Sequence, residues 1–446
     1  MTRGNPVRLL LAFAAPMLLG NVFQQLYSTV DAMVLGRGVG VEALAAAGAT
    51  GSIHFFVFGF VTGLTHGYSV LVAQRFGAGD PQRVRQAVAN AVYLAALSSL
   101  VITACSLLFS RPLLQLMGTP ADIFEGALLY IRITFIGILA TVFYNVLASV
   151  LRALGDSISP LVVVIISSLI NVGLDCLFVL GLGLGIAGAA WATVLAQLLS
   201  GLMCLYLLGR MELMHFTKDD LRPHPHTLWE LLRLGVPVGL MNSVTAIGGM
   251  ILQGIVNGFG SATVAAYTAS SRLIGLAEQP GSIIGLSLGT YVGQNLGAGR
   301  LDRVRLGVRR AIAMSLGINL LITLLLIFLG KPLTALFVSG TEQAIIDMAY
   351  PYLVIAGLME WSLGLLFVYR FSLQSLGDTF VPLLSGALEL GLRIGVVLFL
   401  SQVLHMGFLA ICIADVSAWF GAAALLCAAY YIRMGRLHPT TQKRQS

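Results

Sequence analysis

The sequence predicts an all-α polytopic membrane protein with twelve transmembrane helices in two six-helix lobes. Composition is the first observation: 57% of the residues are hydrophobic, 10% are charged, and the mean hydropathy is +0.90. An average soluble domain carries about 25% charged residues. The second observation is that long apolar segments recur along the whole chain. The third is a polar phrase that occurs twice, half a chain apart.

The apolar segments define the predicted spans. A helix needs about 20 apolar residues to cross a bilayer, and every segment meets this length. The first resembles a signal peptide at its start, but its apolar stretch continues too far, so we interpret it as an uncleaved first helix. The predicted spans are residues 9–36, 43–74, 86–110, 121–148, 158–180, 186–209, 229–257, 263–294, 305–329, 343–370, 379–401 and 407–432.

Basic residues predict the orientation. With twelve spans both termini lie on one side, and nineteen Lys or Arg residues fall in the termini and in the loops after even-numbered spans. The opposite side has three, namely Arg37, Arg111 and Lys331. Positive charge marks the cytoplasmic side of a membrane protein. We therefore expect a protein of the prokaryotic inner membrane with both termini in the cytoplasm. The net charge of +7 is thus explained without nucleic acid.

A repeat runs through the chain. The phrase "QRFGAGDPQRVRQAV" (74–88) returns as "QNLGAGRLDRVRLGV" (294–308), and "LRALGDSISPL" (151–161) returns as "LQSLGDTFVPL" (373–383). Each half has an even number of spans, so the two copies enter the membrane the same way up. We therefore expect a pseudo-twofold axis along the membrane normal. The predicted regions are an N-terminal lobe (1–209), a cytoplasmic linker (210–228), a C-terminal lobe (229–432) and a cytoplasmic tail (433–446).

The repeated phrase has the residues of a cytoplasmic helix–helix turn. Gly79 ends one helix, and Asp80 caps the next helix with Pro81 at its first position. We expect Arg83 and Arg85 to anchor that helix at the anionic leaflet. A phosphate-binding loop is the alternative, but no Gly-Lys-Ser/Thr follows.

The linker contains two histidines, His224 and His226, separated by one proline. A metal site is one interpretation of this pattern. A proline-stiffened, solvated linker is the interpretation that the composition favours.

Ten ionisable residues fall within predicted spans, where a charge costs about 2.5–3.5 kcal/mol on insertion scales. Glu389 and Arg393 are four residues apart on one helix and are expected to pair with each other. Arg272 and Glu278 are expected to find partners near helix ends. The complete set is Asp31, Asp175, Glu278, Glu360, Glu389, Asp415, Arg132, Arg272, Arg370 and Arg393.

Asp31 and Asp175 have no arginine one helical turn away. Asn171 precedes Asp175 by four residues, so both side chains lie on one helix face. Clustered oxygens suit a hard cation such as sodium, and a desolvated carboxyl group can instead carry a proton. We therefore predict a cation-coupling site in the first lobe. The second lobe does not copy it, because Arg393 and Val397 stand at the matching positions.

The chain resembles the multidrug and toxic compound extrusion (MATE) transporters, particularly their prokaryotic DinF-like branch. The resemblance covers essentially the whole chain. The sequences that carry it are "PMLLGNVFQQLYSTVDAMVLGR", the paired Q-x-x-G-A-G loops, "RALGDSISPL" and "INVGLDCLFV…GIAGAAWATVLAQ".

The resemblance implies two lobes around a central cavity, and export of organic cations or toxic metabolites in exchange for sodium or protons by rocking of the lobes. It also implies that Pro16 is the bending proline of the first helix. The chain departs from the NorM-like pattern of second-lobe carboxylates, which leaves the roles of Glu278, Glu360, Glu389 and Asp415 open. The cation network implied by the resemblance comprises Asp31, Asn171, Asp175, Thr193, Asn145 and Tyr130.

Substrate contacts are less visible in the sequence. Met and aromatic side chains suit an adaptable cavity, although packing against lipid or core is the alternative for each. We expect no cofactor other than the coupling ion, H⁺ or Na⁺, and a monomer surrounded by membrane lipids. The candidate cavity residues are Tyr27, Met33, Met241, Glu278 and Trp361.

Three other functions are considered. A flippase for lipid-linked sugars needs a strongly cationic cavity, whereas the intramembrane arginines here are few. An intramembrane enzyme needs a catalytic motif, and the chain has no G-x-S-x-G or H-E-x-x-H. The dinucleotide-like glycines of "GLGLGIAG" (181–188) fall between two membrane helices with no preceding strand. A channel is disfavoured by asymmetric buried carboxylates in repeated lobes.

Overall fold

The computed structural model describes residues 1–336 and 343–442, with the side chains of 438–442 left aside. Fifteen α-helices make up nearly all of this part of the chain. They are α1 (Pro6–Gly38), α2 (Val41–Ala49), α3 (Gly51–Gly77), α4 (Pro81–Leu116), α5 (Ala121–Ile136), α6 (Ile138–Ala153), α7 (Ile158–Asp175), α8 (Gly185–Gly209), α9 (Pro225–Asn257), α10 (Ser261–Ala277), α11 (Gln279–Gly297), α12 (Leu301–Thr334), α13 (Gln343–Ser375), α14 (Phe380–Gln402) and α15 (Phe408–Gln442).

These helices confirm the predicted all-α membrane fold. Within the described ranges, ten helices are long and apolar enough to cross a membrane singly. The fourth predicted span is the pair α5 and α6, which bend by 45° at the break between them. The eighth is the pair α10 and α11, which meet at Glu278. Ten single helices and these two pairs account for the twelve predicted spans in the part of the chain that the structure describes.

The repeated loop has the predicted turn chemistry. Gly79 and Gly299 have φ of +71° and +70°, a backbone conformation that favours glycine. The side chain of Asp80 accepts a hydrogen bond of 3.0 Å from the backbone N–H of Arg83, and Pro81 is the first helical residue. The predicted cap is confirmed.

The expected lipid anchor at Arg85 is wrong. Its Nε lies 2.6 Å from Oδ2 of Asp220, whose side chain has no exposed surface. The same oxygen accepts hydrogen bonds from the N–H and hydroxyl of Thr217, at 2.9 and 2.8 Å. Tyr93 of α4 also donates to the carbonyl of Leu221. This half of the linker therefore packs on α4, and the expectation of a solvated segment is wrong there.

Two compact units divide the chain. The N-terminal unit comprises Ala12–Gly239 with Gly297–Gly299. The C-terminal unit comprises Met1–Leu11, Leu240–Leu296 and the described residues from Arg300 onwards. The first residues of α1 and of α9 thus belong to the unit built mainly from the other half of the chain. The sequence boundaries at 209 and 229 give no sign of this. Residues 443–446 of the predicted tail, with Lys443 and Arg444, lie outside the described residues.

Small residues permit close packing inside each unit. In the C-terminal unit, a Cβ added to Gly307 would lie 2.2 Å from the ring of the buried Tyr291. In the N-terminal unit, a Cβ on Gly201 would lie 2.4 Å from the ring of Phe143. Lipid tails are as apolar as the helices, so tight contacts of this kind hold membrane helices together.

Candidate cation site

Two carboxyl groups from different helices face each other inside the N-terminal unit. Asp31 is in the second half of α1, and Asp175 is the last residue of α7. Their side chains lie close enough to interact directly. A six-residue π-helix, Cys176–Gly181, begins immediately after Asp175. Short π-helical segments are rare and occur frequently at functional sites.

Five buried side-chain oxygens in this part of the N-terminal unit accept no hydrogen bond from a donor group among the described residues when both carboxyl groups are ionised. They are Oδ1 of Asp31, both carboxylate oxygens of Asp175, Oδ1 of Asn171 and Oε1 of Gln197. Asp175 is completely buried and Asn171 is 2% exposed. Buried polar atoms are nearly always satisfied, because an unpaired one loses its hydration without compensation. These oxygens are therefore available to accept hydrogen bonds from water, to hold a proton or to bind a cation.

Two tyrosines surround the carboxyl pair. Tyr27 precedes Asp31 by one helical turn, and Tyr130 comes from α5. Both phenol groups interact electrostatically with Asp31 and with Asp175. The side chain of Gln24 forms a hydrogen bond with Tyr27. The site is therefore enclosed by hydroxyl and amide groups rather than by positive charge.

A cavity of about 20 Å³ adjoins these residues. This volume holds about one water molecule or a small ion, and it excludes an organic substrate. The helices α1, α6, α7 and α8 supply its lining, which comprises Gln24, Tyr27, Tyr144, Val164, Ser167, Ser168, Asn171, Thr193, Ala196, Gln197 and Ser200.

The donor set suits a hard cation. All the unsatisfied ligand atoms except Nδ2 of Asn171 are oxygens. Hard cations prefer oxygen, whereas transition metals favour imidazole and thiolate. Across residues 1–336 and 343–442, no group of three or more His, Cys, Asp or Glu side chains is placed to hold a metal ion. Two facing carboxyl groups also need a proton or a cation between them to offset their mutual repulsion.

The structure brings most of the predicted cation residues together. Asp31, Asp175 and Tyr130 interact with one another, and Asn171 and Thr193 line the adjoining cavity. Asn145 does not line that cavity, and its amide donates to the carbonyl of Thr141, 2.8 Å away. Pro16 lies within an α1 that remains helical from Pro6 to Gly38.

Gln197 was missed at the sequence level. It follows Thr193 by four residues on α8, so both side chains lie on one face of that helix. This spacing is the signal that found Asn171 beside Asp175. The sequence alone does not single out Gln197, because a neutral amide in an apolar helix carries no charge that needs a partner.

The residues predicted to line a substrate cavity do not share one cavity among the described residues. Tyr27 lines the small cation cavity, and the side chain of Met33 is 53% exposed. Met241 is 4% exposed and lies 3.8 Å from the amide of Gln374, so it packs within the C-terminal unit instead of facing open space. Trp361 packs edge-on against Phe420.

Glu389 and Arg393 of the C-terminal unit have partners other than the predicted ones. Glu389 pairs with Arg370, not with Arg393. Arg393 reaches Oδ1 of Asp415 at 2.8 Å, and the hydroxyl of Tyr352 donates to Oδ2 of the same carboxylate. The prediction of a Glu389–Arg393 pair is wrong, because inter-helix partners lie closer than the partner one turn along the helix.

Arg272 and Glu278 are the other two charged residues for which the sequence predicts partners. Among the described residues, neither Arg272 nor Glu278 has an oppositely charged partner within 4.0 Å, so the expectation of pairing is wrong for both. Arg272 is exposed on α10. Glu278 lies at the break between α10 and α11 and is near Glu360, which is 2% exposed.

Comparison with known proteins gives consistent matches. The sequence profile of the MatE family matches residues 16–177 and again 237–399, one match in each half of the chain. Two relatives are named as probable multidrug resistance proteins of Bacillus subtilis (strain 168). YoeA is 27% identical, with 94% of this chain and 92% of that protein covered, and YpnP is 30% identical, with 78% of each covered.

A solved structure described as MATE in the bent conformation is also similar. It has a TM-score of 0.92 and 24% sequence identity, and the match covers 99% of this chain and 98% of the other. At this identity the match concerns the fold.

Proposed function

The chain belongs to the MatE family of membrane transporters, and from that premise we propose that it is a cation-coupled antiporter. It exports organic cations or toxic metabolites, and the inward movement of a small cation drives the export. The observation that carries the proposal is the facing pair Asp31 and Asp175, whose three unsatisfied oxygens lie beside a one-ion cavity lined by Asn171 and Gln197.

Sodium is the coupling ion that the donor set favours. A proton would occupy one oxygen of the carboxyl pair and leave the amide oxygens of Asn171 and Gln197 unsatisfied. A sodium ion accepts several oxygen ligands at once, neutral and charged. Proton coupling through the carboxyl pair alone is the second candidate, and the facing geometry of Asp31 and Asp175 supports it.

Coupling follows if the two ligands prefer different conformations. A cation that enters the site from outside stabilises the conformation open to the cytoplasm, and a substrate bound from inside stabilises the reverse state. Each ligand shifts the equilibrium only by the difference between its affinities for the two states. The basic loops support cytoplasmic termini in this arrangement. The small cavity excludes substrate, so the substrate binds elsewhere.

Transport in proteoliposomes tests the proposal. Purified protein is reconstituted into vesicles loaded with ethidium, and a sodium gradient and a proton gradient are imposed separately. We expect ethidium efflux under the sodium gradient, no efflux from Asp31→Asn vesicles, and wild-type efflux from the control Glu42→Gln, which changes an exposed carboxylate on α2.

Each other outcome has a defined meaning. Efflux driven by the proton gradient alone, and lost in Asp31→Asn, assigns the proton as the coupling ion. No efflux under either gradient, with Asp31→Asn indistinguishable from wild type, overturns the antiporter proposal and favours the flippase function.

A further inference from the structure

Polar residues extend from the cation site along three helices in the same direction. On α1, α7 and α8 the spacing is the same: Gln24 lies seven residues from Asp31, Ser168 seven from Asp175, and Ser200 seven from Thr193. Seven residues are two helical turns, or about 10 Å, on the same helix face. Gln24, Ser168 and Ser200 all line the cavity that begins at Asn171 and Thr193.

These three residues lie toward one end of the N-terminal unit. Gln24 is nearer the start of α1, Ser168 is nearer the start of α7, and Ser200 is nearer the end of α8. Consecutive spans alternate in direction, so the starts of α1 and α7 share a side with the ends of α6 and α8. The basic residues predict that this side is cytoplasmic.

Arg152 stands beyond this row of polar residues. It is one residue before the end of α6 and eight residues after Tyr144, another lining residue, which places it about 12 Å further along the same helix. Its guanidinium donates to the hydroxyl of Ser149, 2.9 Å away. Among the described residues, Arg152 has no carboxylate within 4.0 Å, so its positive charge is not neutralised by an ion pair.

The surroundings of Arg152 connect it to the cavity. Its neighbours are His66 of α3, Tyr144 of α6 and Cys204 of α8. Asp156 is near Cys204. Tyr144 also interacts with Tyr27, which in turn interacts with Asp31 and Asp175. Tyr27 and Tyr144, which both line the cavity, therefore lie between the carboxyl pair and the surroundings of Arg152.

We propose that this row is the inner exit path of the coupling cation and that Arg152 is the positioning residue that closes it electrostatically. The proposal rests on the antiporter function proposed above. A fixed positive charge repels a cation along a narrow path of low dielectric, and it thereby prevents cation flow that is not coupled to substrate. Ser168 and Ser200 keep the path open because their side chains are small and their hydroxyls bond back to their own helices.

Two variants with opposite expected effects test the proposal in proteoliposomes, with radioactive sodium uptake measured in the presence and absence of ethidium. Ser200→Val fills the cavity, and we expect it to slow ethidium-coupled uptake by about tenfold or more. Ser99→Val, an equal change at a buried serine of α4 outside the cavity, is the control and should keep the wild-type rate.

Arg152→Gln removes the charge, and we expect it to raise sodium uptake without ethidium by about tenfold. Arg152→Lys, which restores the charge, should return this leak to the wild-type level, a rescue that a merely structural role would not produce. Coupled uptake at the wild-type rate in Ser200→Val would overturn the exit path. Equal sodium leaks in Arg152→Gln and Arg152→Lys would overturn the proposed closure by the arginine charge. If Arg152→Gln does not fold, Ser200→Val against Ser99→Val decides.

The same assay separates the two proposals. If wild type couples sodium to ethidium and Asp31→Asn does not, the antiporter function holds whatever Ser200→Val shows. If wild type shows no coupled uptake, the proposed function fails first.

Discussion

Nε of Arg85 and Oδ2 of Asp220 lie 2.6 Å apart in an ion pair that joins α4 to the linker between the two halves of the chain. The side chain of Asp220 is fully buried, and that of Arg85 is 17% exposed. Together with the hydrogen bonds from Thr217, this pair makes the linker part of the N-terminal unit.

Asp220→Asn is expected to lower the free energy of unfolding by about 2 kcal/mol, because it leaves the buried end of Arg85 without its charged partner. The measurement is thermal unfolding in detergent. Asp219→Asn changes an exposed carboxylate that meets only the exposed Arg222, and it should leave the midpoint unchanged. Equal midpoints for the two variants would contradict a stabilising role for the pair.

The same pair predicts a dependence on pH. Burial alone would raise the pKa of Asp220, but its hydrogen bonds from Thr217 and the nearby Arg85 outweigh this and lower the pKa below its ordinary value. A carboxyl group with a lower pKa in the folded state stabilises that state at neutral pH. The contribution is lost as the pH falls through the folded-state pKa. We expect the difference in unfolding midpoint between wild type and Asp220→Asn to shrink in acid, and a constant difference would refute the linkage.

The partners of Glu389 can be tested by paired substitutions. Arg370→Met alone leaves the buried carboxylate of Glu389 without its cation, at a cost of about 3 kcal/mol. Adding Glu389→Gln should recover most of this loss. The combination Arg393→Met with Glu389→Gln should show no such recovery, because Arg393 pairs with Asp415. Recovery in the second combination and not in the first would support the pairing along the helix instead.

Asn171→Leu and Gln197→Leu test whether amide oxygens bind the cation. Each removes one of the five unsatisfied oxygens, and we expect the sodium affinity to fall by about tenfold or more, as is typical when a buried ligand is lost. Sodium titration of purified protein by calorimetry provides the measurement. Gln253→Leu, at an exposed site on α9, is the control. Unchanged sodium affinity in both amide variants would contradict the amide oxygens as ligands, whereas no specific sodium binding in wild type would favour a proton held by the carboxyl pair.

The helix cap in the first copy of the repeated loop has a specific stability contribution. Asp80→Ala should lower the free energy of unfolding by about 1 kcal/mol, since one N–H at the start of α4 loses its acceptor. In the second copy the capping position is Arg300, which provides no side-chain acceptor. Arg300→Ala is therefore the matched control and should have little effect, because it removes an ion pair between the exposed side chains of Arg300 and Asp302. A larger loss there than in Asp80→Ala would contradict the assignment.

The sequence predicted the spans, the repeat and the cap at Asp80 because each depends on local pattern. Apolar length determines a membrane helix, and Asp-Pro after glycine determines a helix start. Asp31 and Asp175 could be selected because a carboxylate inside an apolar helix needs an explanation that its own helix does not supply.

What the sequence could not give depends on contacts between distant residues. A spacing of four residues on one helix predicted that Glu389 pairs with Arg393. The actual partners come from other helices, Arg370 for Glu389 and Asp415 for Arg393. Arg85 has the charge and the position expected of a lipid anchor. Its partner Asp220 becomes visible only in the packing of the linker on α4. The π-helix after Asp175 leaves no mark in the hydropathy pattern.

Equilibrium binding of radioactive sodium to the purified protein tests the central claim most directly. The account predicts saturable binding at one site per chain in wild type, no specific binding in Asp175→Asn, and wild-type binding in Glu42→Gln. Sodium binding that survives in Asp175→Asn at full affinity would contradict the assignment of Asp31 and Asp175 as the cation site.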